Sequence, residues 1–180
     1  MKALPYVHEP IKVTQEMCDH NGHMNVNYYY KLFDSTYTSF YIDELGFTDD
    51  YIKSGFSTFT LEDSIRYLNE FILDEDVYPS FTLYKVNRKL MHFVGILQNK
   101  NKELAAIFET VLGHIDLNKR KIVNFPENKL NHILSVYEHQ KNARETAFDI
   151  KLHIKDIDGW SYNKINSNFI YFISSKLTWV

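Results

Sequence analysis

The chain has 180 residues, of which 44% are hydrophobic and 24% are charged, and its formal net charge at pH 7 is −3. These values suit one globular domain with a sizeable core; they exclude a disordered chain and give nucleic-acid binding no electrostatic support. The single Cys18 excludes an internal disulfide, and neither a secretory signal nor a membrane-spanning run is apparent, so we expect a cytoplasmic protein.

The amino-terminal part of the chain predicts a strand followed by a long helix. Residues 7 to 17 have the apolar pattern of a first strand, which Pro10 limits to a sheet edge in its first part. From Val26 to Leu45 the apolar residues recur in steps of three and four, on one face of a helix. Asn25 is the predicted N-cap of this helix, and a short second helix is predicted for residues 49 to 54.

Three long stretches rich in β-branched and aromatic residues follow and predict strands. They are residues 56 to 72, residues 78 to 98 with a bend around 87 to 89, and residues 103 to 117, resuming at 121 to 124. The polar residues 99 to 102 predict a hairpin turn between the last two stretches. The order of one long helix and then a run of strands indicates an α+β fold with an antiparallel sheet.

The carboxy-terminal part predicts a helix over residues 126 to 144 and a strand over residues 148 to 154. Residues 168 to 180 have the composition of a returning strand. We therefore expect one domain over residues 1–126, with residues 127–180 forming a helix and an extension of unknown role that pack on the same domain.

The segment from Asp19 to Asn25 concentrates reactive groups between the first strand and the long helix. Helix N-termini present free N–H groups and a partial positive charge, which would polarise a carbonyl group and stabilise an oxyanion. Asp19 is suited to attack that carbonyl or to activate a water, with Asn21 and His23 orienting the water. Gly22 allows close approach of the backbone to a ligand. An ordinary polar capping loop explains the same residues equally well.

The motif Asp-His-Asn-Gly-His-Met-Asn at residues 19–25, with Tyr29 and Phe33 on the helix behind it, resembles the signature of the 4-hydroxybenzoyl-CoA thioesterase-like superfamily. Within that superfamily it is most similar to the bacterial betainyl-CoA thioesterases. The resemblance continues through weaker segments over about residues 6 to 126. It implies a hotdog fold, in which an antiparallel sheet wraps around one long helix. It also implies hydrolysis of an acyl-CoA without a cofactor, at a site between the protomers of a homodimer or tetramer.

The resemblance implies roles for the acidic and polar residues of the motif. Asp19 would be the nucleophile or general base, and the pattern Asp-x-Asn-x-His, shared with plant acyl-carrier-protein thioesterases, adds Asn21 and His23. The alternation of the first long strand places Glu62 where it would assist across a dimer interface. We prefer Glu62 to Glu70, because Glu70 begins an acidic stretch typical of a solvated turn. A surface ion pair between Glu62 and Arg66 is the alternative.

Substrate contacts are expected from both ends of the predicted site. The residues expected to contact substrate are Gly22, Met24, Asn25, Tyr29, Phe33, Lys89 and His92. Lys89 and His92 would meet the phosphates or pantetheine of coenzyme A, although a solvated bend explains Lys89 nearly as well. The rings of Tyr29, Tyr30, Phe33 and Tyr37 would line the acyl pocket and would suit a trimethylammonium group. Tyrosines at helical spacing are, however, more often core residues.

A metal site and a cysteine nucleophile are two other interpretations of the motif. His20 and His23 stand close to Asp19, but no further ligand cluster accompanies them, so we expect no metal. We assign Cys18 to packing, because an adjacent aspartate does not favour a thiolate. An acyl-carrier-protein thioesterase and a non-catalytic acyl-CoA-binding protein remain alternatives, and the presence of Asp19 favours catalysis.

Overall fold

The computed structural model describes residues 1–144 and 146–155. In chain order its elements are β1 (Tyr6–Val7), β2 (Ile11–Lys12), α1 (Val26–Asp43), α2 (Asp49–Lys53), β3 (Phe56–Tyr67), β4 (Asp76–Val86), β5 (Leu90–Gln98), β6 (Leu104–Asp116), β7 (Lys121–Ile122) and α3 (Glu127–Lys141). Within the described residues, no helix combines the length and the apolar character that crossing a membrane requires.

The strands form an antiparallel sheet in the order β1-β4-β5-β6-β3, with β2 also pairing with β4 and β7 with β6. Helix α1 packs on one face of this sheet, which we call the inner face. Phe33 and Phe40 of α1 are fully buried there, in a core that includes Phe81 and Phe108 of the sheet. This is the α+β hotdog arrangement that the sequence predicted, and the prediction is confirmed.

The ends of α1 follow the predicted capping chemistry. The Asn25 side chain accepts a hydrogen bond from the Asn27 N–H at 3.0 Å, as expected of an N-cap. Gly46, with φ +66°, follows the carboxy-terminal end, where Lys129 of α3 donates to the carbonyl groups of Leu45 at 2.6 Å and Gly46 at 2.7 Å. A buried ammonium group thus satisfies two carbonyls of the turn that follows the helix. Desolvation by burial lowers the pKa of Lys129 to about 8.

Gly95 of β5 lies in a close contact between the sheet and α1, and this contact gives a testable prediction. A Cβ atom at Gly95 would lie 2.7 Å from the Phe81 ring and 3.3 Å from Phe33. Both rings are fully buried and have no free space to retreat into. We expect Gly95→Ala to lower the free energy of unfolding by about 1–3 kcal/mol, as overpacking does in other cores. Urea unfolding of the variant measures this, and an unchanged midpoint would show that the core yields more easily than its packing indicates.

Two predicted strands are wrong because local turns interrupt them. Residues 7 to 17 form β1 and β2, separated around Pro10, and then a short 3-10 helix at Gln15–Met17. Residues 78 to 98 are not one bent strand but the β4–β5 hairpin. The side chain of Asn87 accepts hydrogen bonds from the Lys89 N–H at 2.9 Å and the Leu90 N–H at 2.8 Å, which turns the chain back on itself.

The predicted strand over residues 148 to 154 is also wrong, although its alternation reflects burial. Leu152 and Ile154 pack on the face of the sheet opposite α1, which we call the outer face. The N–H groups of Lys151 and Leu152 donate to the carboxylate of Glu109 in β6, at 3.0 and 2.9 Å, and not to a neighbouring strand. The segment therefore crosses the sheet and does not extend it.

The remaining elements agree with the prediction apart from their ends. Strand β3 stops at Tyr67, five residues before the predicted end, and α3 lies within the predicted helix. Ile133 of α3 is fully buried in the same core as α1. The division at residue 126, with residues 127–180 packed on the same domain, stays a prediction. The returning strand predicted for residues 168 to 180 lies outside the described residues.

Candidate active site

The segment between the short 3-10 helix Gln15–Met17 and α1 folds into a tight loop that places Asp19 beside His23. A bridge between Cys18 and Met24 closes the base of the loop. The Asp19 N–H donates to the His23 carbonyl at 2.9 Å, and the Gly22 N–H donates to the Asp19 carbonyl at 3.0 Å. Gly22 has φ +82°, a conformation that costs glycine little. The glycine of the motif is therefore required by the turn itself.

The same loop holds the side chain of Asp19 in place. Its Oδ1 atom accepts hydrogen bonds from the Asn21 N–H at 2.8 Å and the His23 N–H at 3.4 Å. The hydrogen bond from the Asn21 N–H is the main cause that lowers the pKa of Asp19 below its ordinary value. The carboxylate is therefore ionised at neutral pH, and its position is fixed by the backbone.

Two backbone hydrogen bonds fix the loop against the rest of the protein. The Met24 N–H donates to the Phe71 carbonyl and the Asn25 N–H to the Met17 carbonyl, both at 2.8 Å. Helix α1 begins at the next residue, Val26. The positive end of the α1 dipole therefore lies next to the loop. One of the N–H groups at this end, that of Asn27, already donates to the Asn25 side chain.

A groove of about 480 Å³ opens beside this loop. It is lined by Asp19, His23, Met24, Asn25, Val26, Tyr29, Tyr67, Leu68, Asn69 and Glu70. Asp19, His23, Met24, Asn25 and Tyr29 were expected at the site from the sequence. The groove combines ionisable groups on its Asp19 side with aromatic and aliphatic side chains on its β3 side, which is the composition of a site for a partly apolar ligand.

Five residues that line the groove were not expected from the sequence: Val26 of α1 and four residues at and after the end of β3. Residues 67 to 70 line the groove, and Glu70 Oε2 lies 3.1 Å from His23 Nδ1. The sequence analysis dismissed Glu70 as part of a solvated turn. The available signal was its position soon after the long strand, because the chain leaves the sheet at Tyr67 and turns toward the loop at residues 19–25.

Glu62 does not lie in the groove of its own protomer. It is exposed on the outer face of the sheet, opposite Val111, whereas Asp63 lies on the inner face and accepts a hydrogen bond from the Tyr30 hydroxyl at 3.1 Å. The alternative ion pair with Arg66 is not observed, since Arg66 pairs with Glu109 at 3.0 Å. A contribution of Glu62 across a dimer interface stays a prediction.

The aromatic residues of α1 divide between the core and the groove. Phe33 and Tyr37 are buried in the core, and Phe33 stacks on Phe108 with ring centroids 4.8 Å apart. Tyr29 lines the groove, and Tyr30 is partly exposed and bound to Asp63. The four rings therefore do not enclose one pocket, and Phe33 packs the core instead of contacting a ligand in the groove.

The two residues expected to bind coenzyme A also lie apart from the groove. His92 is only 1% exposed and lies on the outer face, with Nε2 3.3 Å from Glu109 Oε2. In this conformation its burial prevents the expected contact with coenzyme A. Lys89 lies half-buried in the β4–β5 turn and does not line the groove.

The structure also bears on the two other hypotheses for the motif, which are a packing role for Cys18 and a metal site at its histidines. Cys18 is partly buried and its side chain packs against the core cluster, in agreement with a packing role. His20 is exposed. Over residues 1–144 and 146–155, no group of three or more His, Cys, Asp or Glu side chains is arranged to hold a metal ion.

The sequence of the chain matches a known protein family and two curated relatives. A family model described as the thioesterase-like superfamily matches residues 13–134. Two curated relatives, from Rhizobium sp. and Rhizobium meliloti (strain 1021), are each named L-carnitine dehydrogenase/betainyl-CoA thioesterase. They are 28% and 27% identical to this chain over 128 residues, or 71% of its length. The chain spans only 26% of the length of either relative.

Solved structures share the fold. A hypothetical protein from Staphylococcus aureus, determined in complex with CoA, superposes with a TM-score of 0.73 at 24% identity, over 86% of this chain and 98% of the other. A DHNA-CoA thioesterase from Staphylococcus aureus superposes with a TM-score of 0.67 at 19% identity, over 78% and 96% of the two chains. The family match covers the loop at residues 19–25, α1 and the whole of the strands β3 to β6. The chain therefore belongs to the thioesterase-like superfamily.

Proposed function

We propose that the chain hydrolyses acyl-CoA thioesters to a free acid and coenzyme A, with Asp19 as the nucleophile or general base. The observation that carries this proposal is the ionised Asp19 carboxylate, fixed by two backbone N–H groups in a groove at the amino-terminal end of α1. Family membership supports it, as do the names of the Rhizobium relatives and the CoA bound in the Staphylococcus aureus structure of the hypothetical protein.

As a general base, Asp19 takes a proton from a water whose oxygen bonds to the thioester carbonyl carbon. The carbonyl oxygen becomes an oxyanion, and the Val26 N–H and the α1 dipole stabilise its charge. The C–S bond then breaks, the acid is released, and the coenzyme A thiolate takes up the proton that Asp19 accepted, which restores the Asp19 carboxylate. As a nucleophile, Asp19 instead attacks the carbonyl carbon and displaces the coenzyme A thiolate, which forms an anhydride with the acyl group. Water then cleaves that anhydride to the free acid and Asp19, and the second proton of the water passes to the thiolate. Asn21 and His23 position the water or the carbonyl in either route.

The groove also indicates where the acyl group of the substrate lies. The acyl group packs against Val26, Tyr29, Tyr67 and Leu68, since these residues form the apolar wall opposite Asp19. The rings of Tyr29 and Tyr67 meet edge to face with centroids 5.2 Å apart. Two tyrosines offer a cationic acyl group such as betaine a weaker site than a full aromatic cage.

A panel of acyl-CoA substrates tests the proposed activity, with release of free thiol as the readout. The panel includes betainyl-CoA, a neutral isostere of the same size, aromatic and straight-chain acyl-CoAs, and one acyl group carried on acyl-carrier protein. We expect release from at least one acyl-CoA. Hydrolysis of the acyl-carrier-protein substrate alone would replace the proposed carrier, and no thiol release from any substrate would contradict the proposal. Equal rates for betainyl-CoA and its isostere would remove the cation preference only.

We further propose that the chain assembles as a homodimer through β3. Within the described residues β3 pairs only with β6, which leaves the other edge of a 12-residue strand open. An open edge of this length readily pairs with a second copy. Tyr67 and Leu68, at the groove end of this strand, are about half exposed, so the groove would lie at the edge of such a contact. Light scattering at micromolar concentration should give twice the 21.4 kDa chain mass, and a strictly monomeric mass would contradict the proposal.

A further inference from the structure

The contact between Glu70 and His23 lies at the proposed catalytic loop, yet the mechanism above makes no use of it. Glu70 Oε2 is 3.1 Å from His23 Nδ1, and both side chains line the groove together with Asp19. We infer that Glu70 is a positioning residue, which fixes the tautomer and orientation of the His23 imidazole for the proposed reaction. For its effect on rate, this inference rests on the proposed thioester hydrolysis.

The backbone on both sides of Glu70 is bound to the elements that carry the site. The Tyr29 hydroxyl of α1 donates to the Asn69 carbonyl at 3.2 Å and accepts from the Phe71 N–H at 3.1 Å. The Phe71 carbonyl accepts the Met24 N–H at 2.8 Å. Glu70 is therefore held between two anchored neighbours, and its contact with His23 does not depend on a freely moving turn.

His23 is in turn bound to Asp19 through its backbone. Its N–H donates to Asp19 Oδ1, and its carbonyl accepts the Asp19 N–H. An isolated bridge with Ile72 adds a further backbone contact on the other side. The backbone of His23 is thus fixed relative to the catalytic carboxylate, which leaves rotation of the imidazole and the choice of tautomer as its remaining freedom. The carboxylate of Glu70 removes that freedom.

The chemical consequence follows from the two nitrogens of a neutral imidazole. An ionised carboxylate only accepts hydrogen bonds, so the nitrogen that faces Glu70 must carry the proton. Nδ1 is then the donor, and Nε2 is left as an acceptor for a water or substrate hydrogen in the groove. Carboxylates set histidine tautomers in this way at other catalytic sites. Without Glu70 the ring is free to rotate and to take the Nε2-protonated form that histidine prefers in water.

The test measures the tautomer directly and independently of activity. Long-range ¹H–¹⁵N NMR spectra are recorded at about pH 8.5, above the range in which histidine ordinarily titrates, and His23→Gln assigns the signal. We expect the Nδ1-protonated form in the unmodified chain and a shift to the Nε2-protonated form in Glu70→Ala. An Nε2-protonated His23 in the unmodified chain, or an unchanged tautomer in Glu70→Ala, would overturn the inference.

Kinetics then show whether the orientation matters for the reaction. We expect Glu70→Ala to lower kcat by about 10-fold with KM little changed, at the low end of what loss of a carboxylate that orients a histidine costs at metal sites. Glu138→Ala is the control, because it removes an exposed carboxylate of α3 that pairs only at the surface with Lys141. It should leave kcat unchanged. A tautomer that shifts while kcat stays the same would overturn the positioning role.

The two readouts separate this inference from the proposed function. If the tautomer shifts as expected but the unmodified chain releases no thiol from any acyl-CoA, the pairing of Glu70 with His23 is supported and the thioesterase proposal fails.

Discussion

Replacing Glu109 by alanine should lower the free energy of unfolding by about 3 kcal/mol. The Glu109 side chain is 0% exposed, and its carboxylate contacts Arg66 at 3.0 Å, His92 at 3.3 Å and the N–H groups of Lys151 and Leu152. Alanine leaves the Lys151 and Leu152 N–H groups without an acceptor and removes the carboxylate beside Arg66 and His92, although Arg66 still donates to the Asp149 carbonyl. The cost falls at the low end for a broken buried ion pair, because Arg66 is 24% exposed and retains some access to water.

Chemical denaturation measures the loss, and limited proteolysis locates it. Because Glu109 holds the segment around Lys151 on the outer face, that segment should become sensitive to trypsin at Lys151 in the variant before the core does. Glu103→Ala is a matched control, since Glu103 is an exposed acid next to the same strand. An unfolding free energy within 0.5 kcal/mol of the unmodified chain, about the range of ordinary surface substitutions, would show that the buried cluster contributes no net stability.

The pH dependence of stability provides a second measurement on Glu109. Burial alone raises the pKa of Glu109, but the adjacent His92 imidazole and hydrogen bonds from the Leu152 and Lys151 N–H groups outweigh it, and the pKa lies below the ordinary 4.5. A carboxylate with a lowered pKa stabilises the folded state above its unfolded pKa. That stability is lost as the pH falls through the folded pKa. We expect the unmodified chain to lose stability below about pH 4.5 more steeply than Glu109→Gln.

Asp19→Asn should lower kcat by about 10²- to 10⁴-fold or more, because it removes the nucleophile or general base and keeps the shape of the side chain. The amide oxygen of asparagine can still accept from the Asn21 and His23 N–H groups that hold Asp19 Oδ1. The loop should therefore keep its conformation. KM should change little, since the lost interaction belongs mainly to the transition state.

Stability and kinetics together make the Asp19→Asn result interpretable. Asp19 is partly exposed at the loop, so the melting temperature should stay close to that of the unmodified chain. Steady-state rates of thiol release at saturating acyl-CoA give kcat. A large loss of kcat together with a large drop in melting temperature would point to a damaged loop and not to lost chemistry.

The sequence was sufficient to predict the elements whose signals are local. The apolar period of α1, its Asn25 cap and the alternation of β6 all depend on neighbours in the chain, and the structure agrees with each of them. The same holds for the position of the Asp19 side chain, because its hydrogen bonds come from the Asn21 and His23 N–H groups, at most four residues away. Local chemistry therefore predicted the half of the site that one segment builds.

The contacts that depend on distant parts of the chain were not predictable in this way. Strand parity placed Glu62 and Glu70 on one face, but β3 contains a bulge near Leu61 and ends at Tyr67, so parity does not extend to Glu70. The β4–β5 turn was predicted as a bend because it is formed by hydrogen bonds to the side chain of Asn87. A polar side chain of this kind leaves no mark in the pattern of apolar residues. Alternation of apolar and polar residues does not distinguish a strand within a sheet from an extended segment such as residues 148–154, which lies across the face of the sheet.

The ranking of turnover among three variants tests the central claim, that Asp19 carries out the hydrolysis of an acyl-CoA thioester. Thiol release is measured with the best acyl-CoA of the panel for Asp19→Asn, Glu62→Gln and Cys18→Ser, each checked for a native melting temperature. We expect Asp19→Asn to lose turnover by about 10²-fold or more, Glu62→Gln to lose less, and Cys18→Ser to lose little. Near-normal turnover in Asp19→Asn, with either of the other variants inactive, would contradict the mechanism.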